Sequence, residues 1–173
     1  QPKTFVCTLS AKDDEPNGQP PTDPFSKAAQ READRLTCLI QDEAALLTNH
    51  WAGSYYQGDG LGVNLSLHVA PHYGFVYEHH GCMGCYDRNY GTIIETNNLL
   101  VLRRTFFTDD GGFDLLETSY LPITWGARRY LIPPTNMIDF CNAVNSGQEP
   151  RSRPHGFFFI FKHDLYKRRR CNV

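Results

Sequence analysis

The chain has 173 residues, 40% of them hydrophobic, with 17 basic side chains against 19 acidic ones and a formal net charge of −2. That length suits one domain with a real core, and the balanced charge supplies no field to recruit nucleic acid or an anionic membrane. No uncharged apolar run approaches the roughly 18 residues of a membrane span, so the expectation is a soluble globular domain with no membrane span, no nucleic-acid partner and no implied oligomeric state.

Residues 1–23 read as a flexible tail, because Asp13-Asp14-Glu15-Pro16-Asn17-Gly18-Gln19-Pro20-Pro21 is charged, rich in Pro and Gly, and unable to build a core. The globular domain is expected over 24–163. Asp23-Pro24 offers a cap followed by a proline at the first helical position. Behind it Phe25, Ala29, Ala33, Leu36, Ile40, Ala44 and Leu47 recur at helical spacing. This predicts a long amphipathic helix over 24–48.

Past His50 the period falls from 3.6 to 2. Leu61, Val63, Leu65, Leu67 and Val69 alternate with smaller or polar residues and predict a half-buried strand. Further strands are expected at 51–56, 75–80, 92–95, 99–107, 113–120, 121–125, 128–132 and 156–162. Asp109-Asp110-Gly111-Gly112 is read as a hairpin turn, Asp87 to Gly91 as a turn, and Gly58-Asp59-Gly60-Leu61-Gly62 as a tight turn rather than a phosphate cradle, since it leads into a strand. A short helix is predicted over 136–144, with Thr135 as N-cap and Gly147 beyond its end. Residues 164–173 form a basic C-terminal tail. Many short strands about ten residues apart describe a mainly β fold with added helices: an antiparallel meander closing into a barrel or sandwich.

The passage of a helix into Trp51-Ala52-Gly53-Ser54-Tyr55 resembles the opening of small-ligand barrels of the lipocalin type. The segments 50–67, 81–91 and 125–151 resemble those of an uncharacterised bacterial protein family to which no activity is attached. That resemblance implies a bacterial source and transfers no function.

The chain starts at Gln1 without an apolar leader, as expected of a processed or recombinant product. Six cysteines, Cys7, Cys38, Cys82, Cys85, Cys141 and Cys171, form an even set that suits an oxidising compartment. The expected location is periplasmic or secreted, with the cytoplasm as the alternative.

The densest chemical cluster is His79-His80-Gly81-Cys82-Met83-Gly84-Cys85. A C-x-x-C spacing lets two thiolates reach one metal, and His79 or His80 would add a ligand. Neighbouring residues of a strand face opposite ways, however, so both histidines are not expected to serve together. The leading expectation is a structural turn without a cofactor. The alternatives are a zinc site using His79, His80, Cys82 and Cys85, or a redox dithiol, which lacks the helix N-terminus that usually activates one. Trp51, Tyr55 and Tyr77 would wall a ligand cavity if the barrel is hollow, with Arg104 and Arg128 as inward cations. Three functions remain in play: a non-enzymatic β-domain binding a small apolar or amphipathic ligand or a protein partner, an interaction module without a pocket, and a metal-dependent enzyme around 79–85.

Overall fold

The computed structural model describes residues 21–47, 51–58, 62–107, 115–148, 150 and 159–161. Seven strands follow one another as an antiparallel meander: β1 (Gly53–Gly58), β2 (Asn64–Ala70), β3 (Gly74–Gly81), β4 (Gly84–Thr96), β5 (Leu99–Arg104), β6 (Ser119–Trp125) and β7 (Arg128–Ile132). A short β8 (Phe159–Phe161) pairs with both β7 and β1 and closes the sheet into a barrel. Closure gives each of these strands two neighbours, so the ring they form has no open edge.

The hairpins follow local chemistry. Asn97 and Asn98 form a two-residue turn with φ of 50° and 62°, the left-handed pair that a tight hairpin twisting with its strands requires and that Asn tolerates. Gly74 ends the β2–β3 turn at φ +75°, and a Cβ there would lie 1.9 Å from the Gly91 carbonyl oxygen. Only glycine satisfies both demands.

Two apolar layers result from strand alternation. Inside the barrel Trp51, Tyr55, Leu65, Leu67, Val69, Phe75, Tyr77, Leu100, Tyr120, Leu131 and Phe159 pack into one cluster. Val63 packs against it half-buried, while Leu61 lies outside the described residues. On the outer face Ala70, Val76, Tyr90 and Phe106 meet Ala29, Ala33, Leu36 and Ile40 of helix α1 (Lys27–Leu46). A second helix, α2 (Met137–Asn145), covers the outer side of β6 and β7 through Phe140, Tyr130 and Ile132.

Several expected boundaries move. The long helix expected over 24–48 is not found at that length and spans Lys27–Leu46 only. Asp23 does not cap it. The Asp23 carboxylate instead accepts from the Phe25 amide at 2.9 Å, and the Ser26 hydroxyl takes the cap by accepting from Ala29 N at 3.1 Å. Phe25 therefore lies outside the helix and is exposed. β4 runs straight through Asp87–Gly91, where the local sequence predicts a turn. β5 stops at Arg104 and β6 starts at Ser119, so the strands expected over 99–107 and 113–120 are both shortened. α2 starts one residue late, with Thr135 inside a preceding 3-10 turn and Asn136 at the cap position, while Gly147 follows its end at φ +71°. Residues 1–20 of the expected N-terminal tail, the C-terminal tail, most of the Gly58–Gly62 turn and the 109–112 turn lie outside the described residues. Among those described, no helix is long and apolar enough to cross a membrane.

Leu67 is fully buried at mid-height between Tyr55 and Tyr77. Leu67→Ala is expected to lower unfolding free energy by about 3 kcal/mol through lost burial and an unfilled cavity, read by urea denaturation. A loss below about 1 kcal/mol would show that this interior is not close-packed.

Candidate functional site

Residues opposed in an antiparallel ladder share a face, so the register sorts the polar side chains. Gln57, Leu65, His79 and Asp87 form one inward row across β1–β4, and Tyr55, Leu67, Tyr77 and Asn89 form the next. Gln57, His79, Asp87 and Asn89 are all buried. Arg104, the last residue of β5, opposes Gly91, which faces Phe75 in the interior, and the Arg104 Nε is buried. One end of an otherwise apolar barrel thus carries a row of Gln57, His79 and Asp87, and Arg104 adds an inward cation two rows further along β4.

Asn89, in the row of Tyr55 and Tyr77, has a visible structural role. Its Nδ2 donates to the Phe106 carbonyl at 2.7 Å, and its Oδ1 accepts from the amides of Thr105 and Phe106 at 3.2 and 3.3 Å. A side-chain amide saturates the backbone at the point where β5 ends, which explains why the strand cannot continue to Phe107.

The five residues expected to bind a ligand are separated by the fold. Tyr55 and Tyr77 lie side by side across Leu67 in the row next to Gln57, His79 and Asp87, and Arg104 points inward from the row of Val69 and Phe75. Trp51 sits at the opposite end, where its Nε1 donates to Glu95 Oε2 at 3.1 Å and its carbonyl accepts from the Tyr55 hydroxyl at 2.8 Å. Arg128 opposes the half-exposed Trp125 and faces outward, whereas the register turns Arg129 inward against Thr124. The sequence could not choose between neighbours of a strand without knowing its register.

The residues expected around a metal are also divided. His79 points into the barrel, edge-on to Tyr86 with ring centroids 5.4 Å apart. His80 points outward. Cys82 is exposed in the β3–β4 turn, and Cys85 is half-buried on the outer face opposite His80. Glu78, two residues before His80 on the same strand, shares that outer face, and the donor atoms of Glu78, His80 and Cys85 all lie within 4.8 Å of one another. In the sequence Glu78 stands only among scattered carboxylates. The i, i+2 alternation of a strand is the signal that joins it to His80.

Arg88 anchors this face. Its guanidinium is buried, donates through Nε to Glu78 Oε1 at 2.9 Å and through Nη1 to the Pro24 carbonyl at 3.0 Å, and also donates to Gln30 Oε1. Burial pushes the Cys85 thiol pKa up, and the positive charge of Arg88 opposes that shift only in part. Cys82, Cys85 and Cys141 carry thiols, while Cys38 on α1 is disulfide-bonded. A thiol whose pKa is raised is a poor nucleophile at neutral pH, so the redox-dithiol expectation has no electrostatic support at Cys85.

Arg88→Leu is expected to cost about 3 kcal/mol in urea unfolding, because it leaves Glu78 without its cation and two acceptors of the α1 region without a donor. A change under about 1 kcal/mol would mean that solvent replaces these bonds. Iodoacetamide labelling followed by peptide mass mapping should modify Cys82 before Cys85 at pH 7.5, with the Cys85 rate still rising above the ordinary thiol range. Equal rates at the two positions would contradict the burial of Cys85.

Set against known proteins, the chain matches no family model, no curated protein and no solved structure.

Proposed function

We propose that this chain is a non-enzymatic, lipocalin-like β-barrel domain that acts outside the cytoplasm and binds a small amphipathic molecule at the polar end of its barrel. The observation that carries the reading is the inward row of Gln57, His79 and Asp87 beside the aromatic row of Tyr55 and Tyr77, with Arg104 turned inward at the end of β5. Ionisable groups facing an apolar interior are costly and therefore concentrate where something polar is held. Arg104 and His79 suit a carboxylate or similar anionic head.

The aromatic row limits how long a tail can lie behind that head. Tyr55, Leu67 and Tyr77 have no exposed surface, so the middle of the barrel is filled by side chains, as eight-stranded barrels allow. The apolar part of the ligand is correspondingly short. A disulfide at Cys38 supports an oxidising, periplasmic or secreted location, and the resemblance of 50–67, 81–91 and 125–151 to a bacterial family supports a bacterial source.

The test is thermal unfolding of the full chain against carboxylates of increasing chain length. Short members should raise the melting temperature, since a ligand at one hundred times its Kd adds about 2.7 kcal/mol. Arg104→Gln should abolish the shift, and Arg128→Gln, on the outer face, should retain it. If no carboxylate stabilises the folded protein, the pocketless interaction module replaces this reading.

A further inference from the structure

We propose that Glu78, His80 and Cys85 form a second site, on the outer face of the β3–β4 hairpin, for a zinc-class divalent cation. It is separate from the barrel interior, since the three residues face away from His79 and Asp87.

The backbone assembles this donor set through an irregularity. Along β3 and β4 the ladder pairs Glu78 with Arg88 and His79 with Asp87, and regular continuation would set His80 opposite Tyr86. The register shifts between His79 and His80, so that His80 opposes Cys85 and Tyr86 is passed over. A bulge of this kind adds a residue to one strand and re-aims the side chains beyond it. Here it moves a thiol onto the face that already holds Glu78 and His80.

The distances suit coordination better than a hydrogen bond. Glu78 Oε2 and His80 Nε2 are 3.3 Å apart, beyond the range of about 2.7–2.9 Å for a charge-assisted bond. Two donors held at about 2.0–2.1 Å on a tetrahedral zinc are themselves about 3.4 Å apart. Cys85 Sγ lies within 4.8 Å of both, and its thiol donates to the Asp87 carbonyl at 3.3 Å, a bond that coordination would replace.

The carboxylate is also pre-oriented. Arg88 holds Oε1, which turns Oε2 towards His80, and Arg88 is fixed in turn by Pro24 and Gln30. Outer partners that aim a ligand in this way are what a metal site needs beyond its ligands. One sulfur, one imidazole nitrogen and one carboxylate oxygen select a borderline-soft ion over calcium or magnesium, which take oxygen donors. Glu78 and a Cys85 thiolate, offset by Arg88, leave one negative charge to meet the cation. The thiol gives its proton to solvent on binding. The His80 side chain is nearly half exposed, so the remaining coordination position opens towards water.

Cobalt(II), added to the metal-free full chain under oxygen-free conditions without reductant so that the Cys38 disulfide persists, is the probe. One equivalent should produce a thiolate-to-cobalt charge-transfer band, displaced by one equivalent of zinc, and zinc should block iodoacetamide labelling of Cys85. Cys85→Ser should abolish the band. His80→Ala, an exposed position that leaves folding intact, should weaken cobalt binding at least tenfold, and Cys141→Ser should change nothing. No band at stoichiometric cobalt overturns the proposal. A band and affinity unchanged in His80→Ala also overturn it, because the thiols alone would then be responsible.

Discussion

The buried guanidinium of Arg88 is the interaction on which the arrangement of this protein turns. It stands on the outer face of β4, a position that alternation alone would give to an apolar side chain under a helix. Its bonds reach Glu78 on β3, the Pro24 carbonyl ahead of α1 and the Gln30 side chain within it. Charged groups out of water are tolerated only when such partners surround them. The cation therefore fixes where the start of α1 lies, while the small residues Ala29 and Ala33 let the helix approach the sheet closely. At the far end of the helix Glu43 accepts from the backbone amides of His72 and Tyr73 and contacts the His72 ring. Two polar clamps thus hold the helix at its ends, and the apolar stripe between them supplies the burial.

The barrel that α1 covers is asymmetric along its axis. Trp51, Val69, Phe75, Leu100 and Tyr120 make one part a packed apolar core. The other end carries Gln57, His79 and Asp87, and Arg104 turns inward where β5 ends. An apolar core alone would stabilise closure just as well, and replacing buried ionic groups with apolar ones is often neutral or better for stability. Their concentration towards the end where β1 leads into β2 and β3 into β4 places the polar chemistry beside the β1–β2 connection and the Cys82-Met83 hairpin. Loops near such a layer are where binding is generally found.

Much of the architecture is legible in periodicity. The switch from 3.6 to 2 near His50 separates helix from meander, and Leu65, Leu67 and Val69 point into the barrel with the parity their alternation implies. The illegible part is set by tertiary partners. Asp87-Arg88-Asn89 looks like a turn because each residue is polar, yet Arg88 is satisfied by Glu78 and α1, and Asn89 by the backbone of 105–106. Long-range hydrogen bonds override local propensity. The site residues are obscured for a related reason. Whether Arg128 or Arg129 faces inward, and whether His79 or His80 joins Cys85, depends on register and on one bulge, neither of which leaves a mark in composition.

That bulge also joins features that the sequence presents separately. The Glu78 carboxylate has two oxygens and two neighbours: Oε1 accepts from Arg88, and Oε2 faces His80. Everything that holds Arg88 in place, including the cap at Ser26 that starts α1 just beyond Pro24, bears on the orientation of the second oxygen. Conversely, any charge placed between Oε2, His80 and Cys85 acts through the same carboxylate on the clamp at the start of the helix. Because Arg88 is buried and held by acceptors on two different elements, the two ends of this carboxylate cannot be adjusted independently. The helix seat and the hairpin face form one electrostatic unit, and the inward His79 and Asp87, carried on the alternate residues of the same two strands, lie a single sheet thickness away.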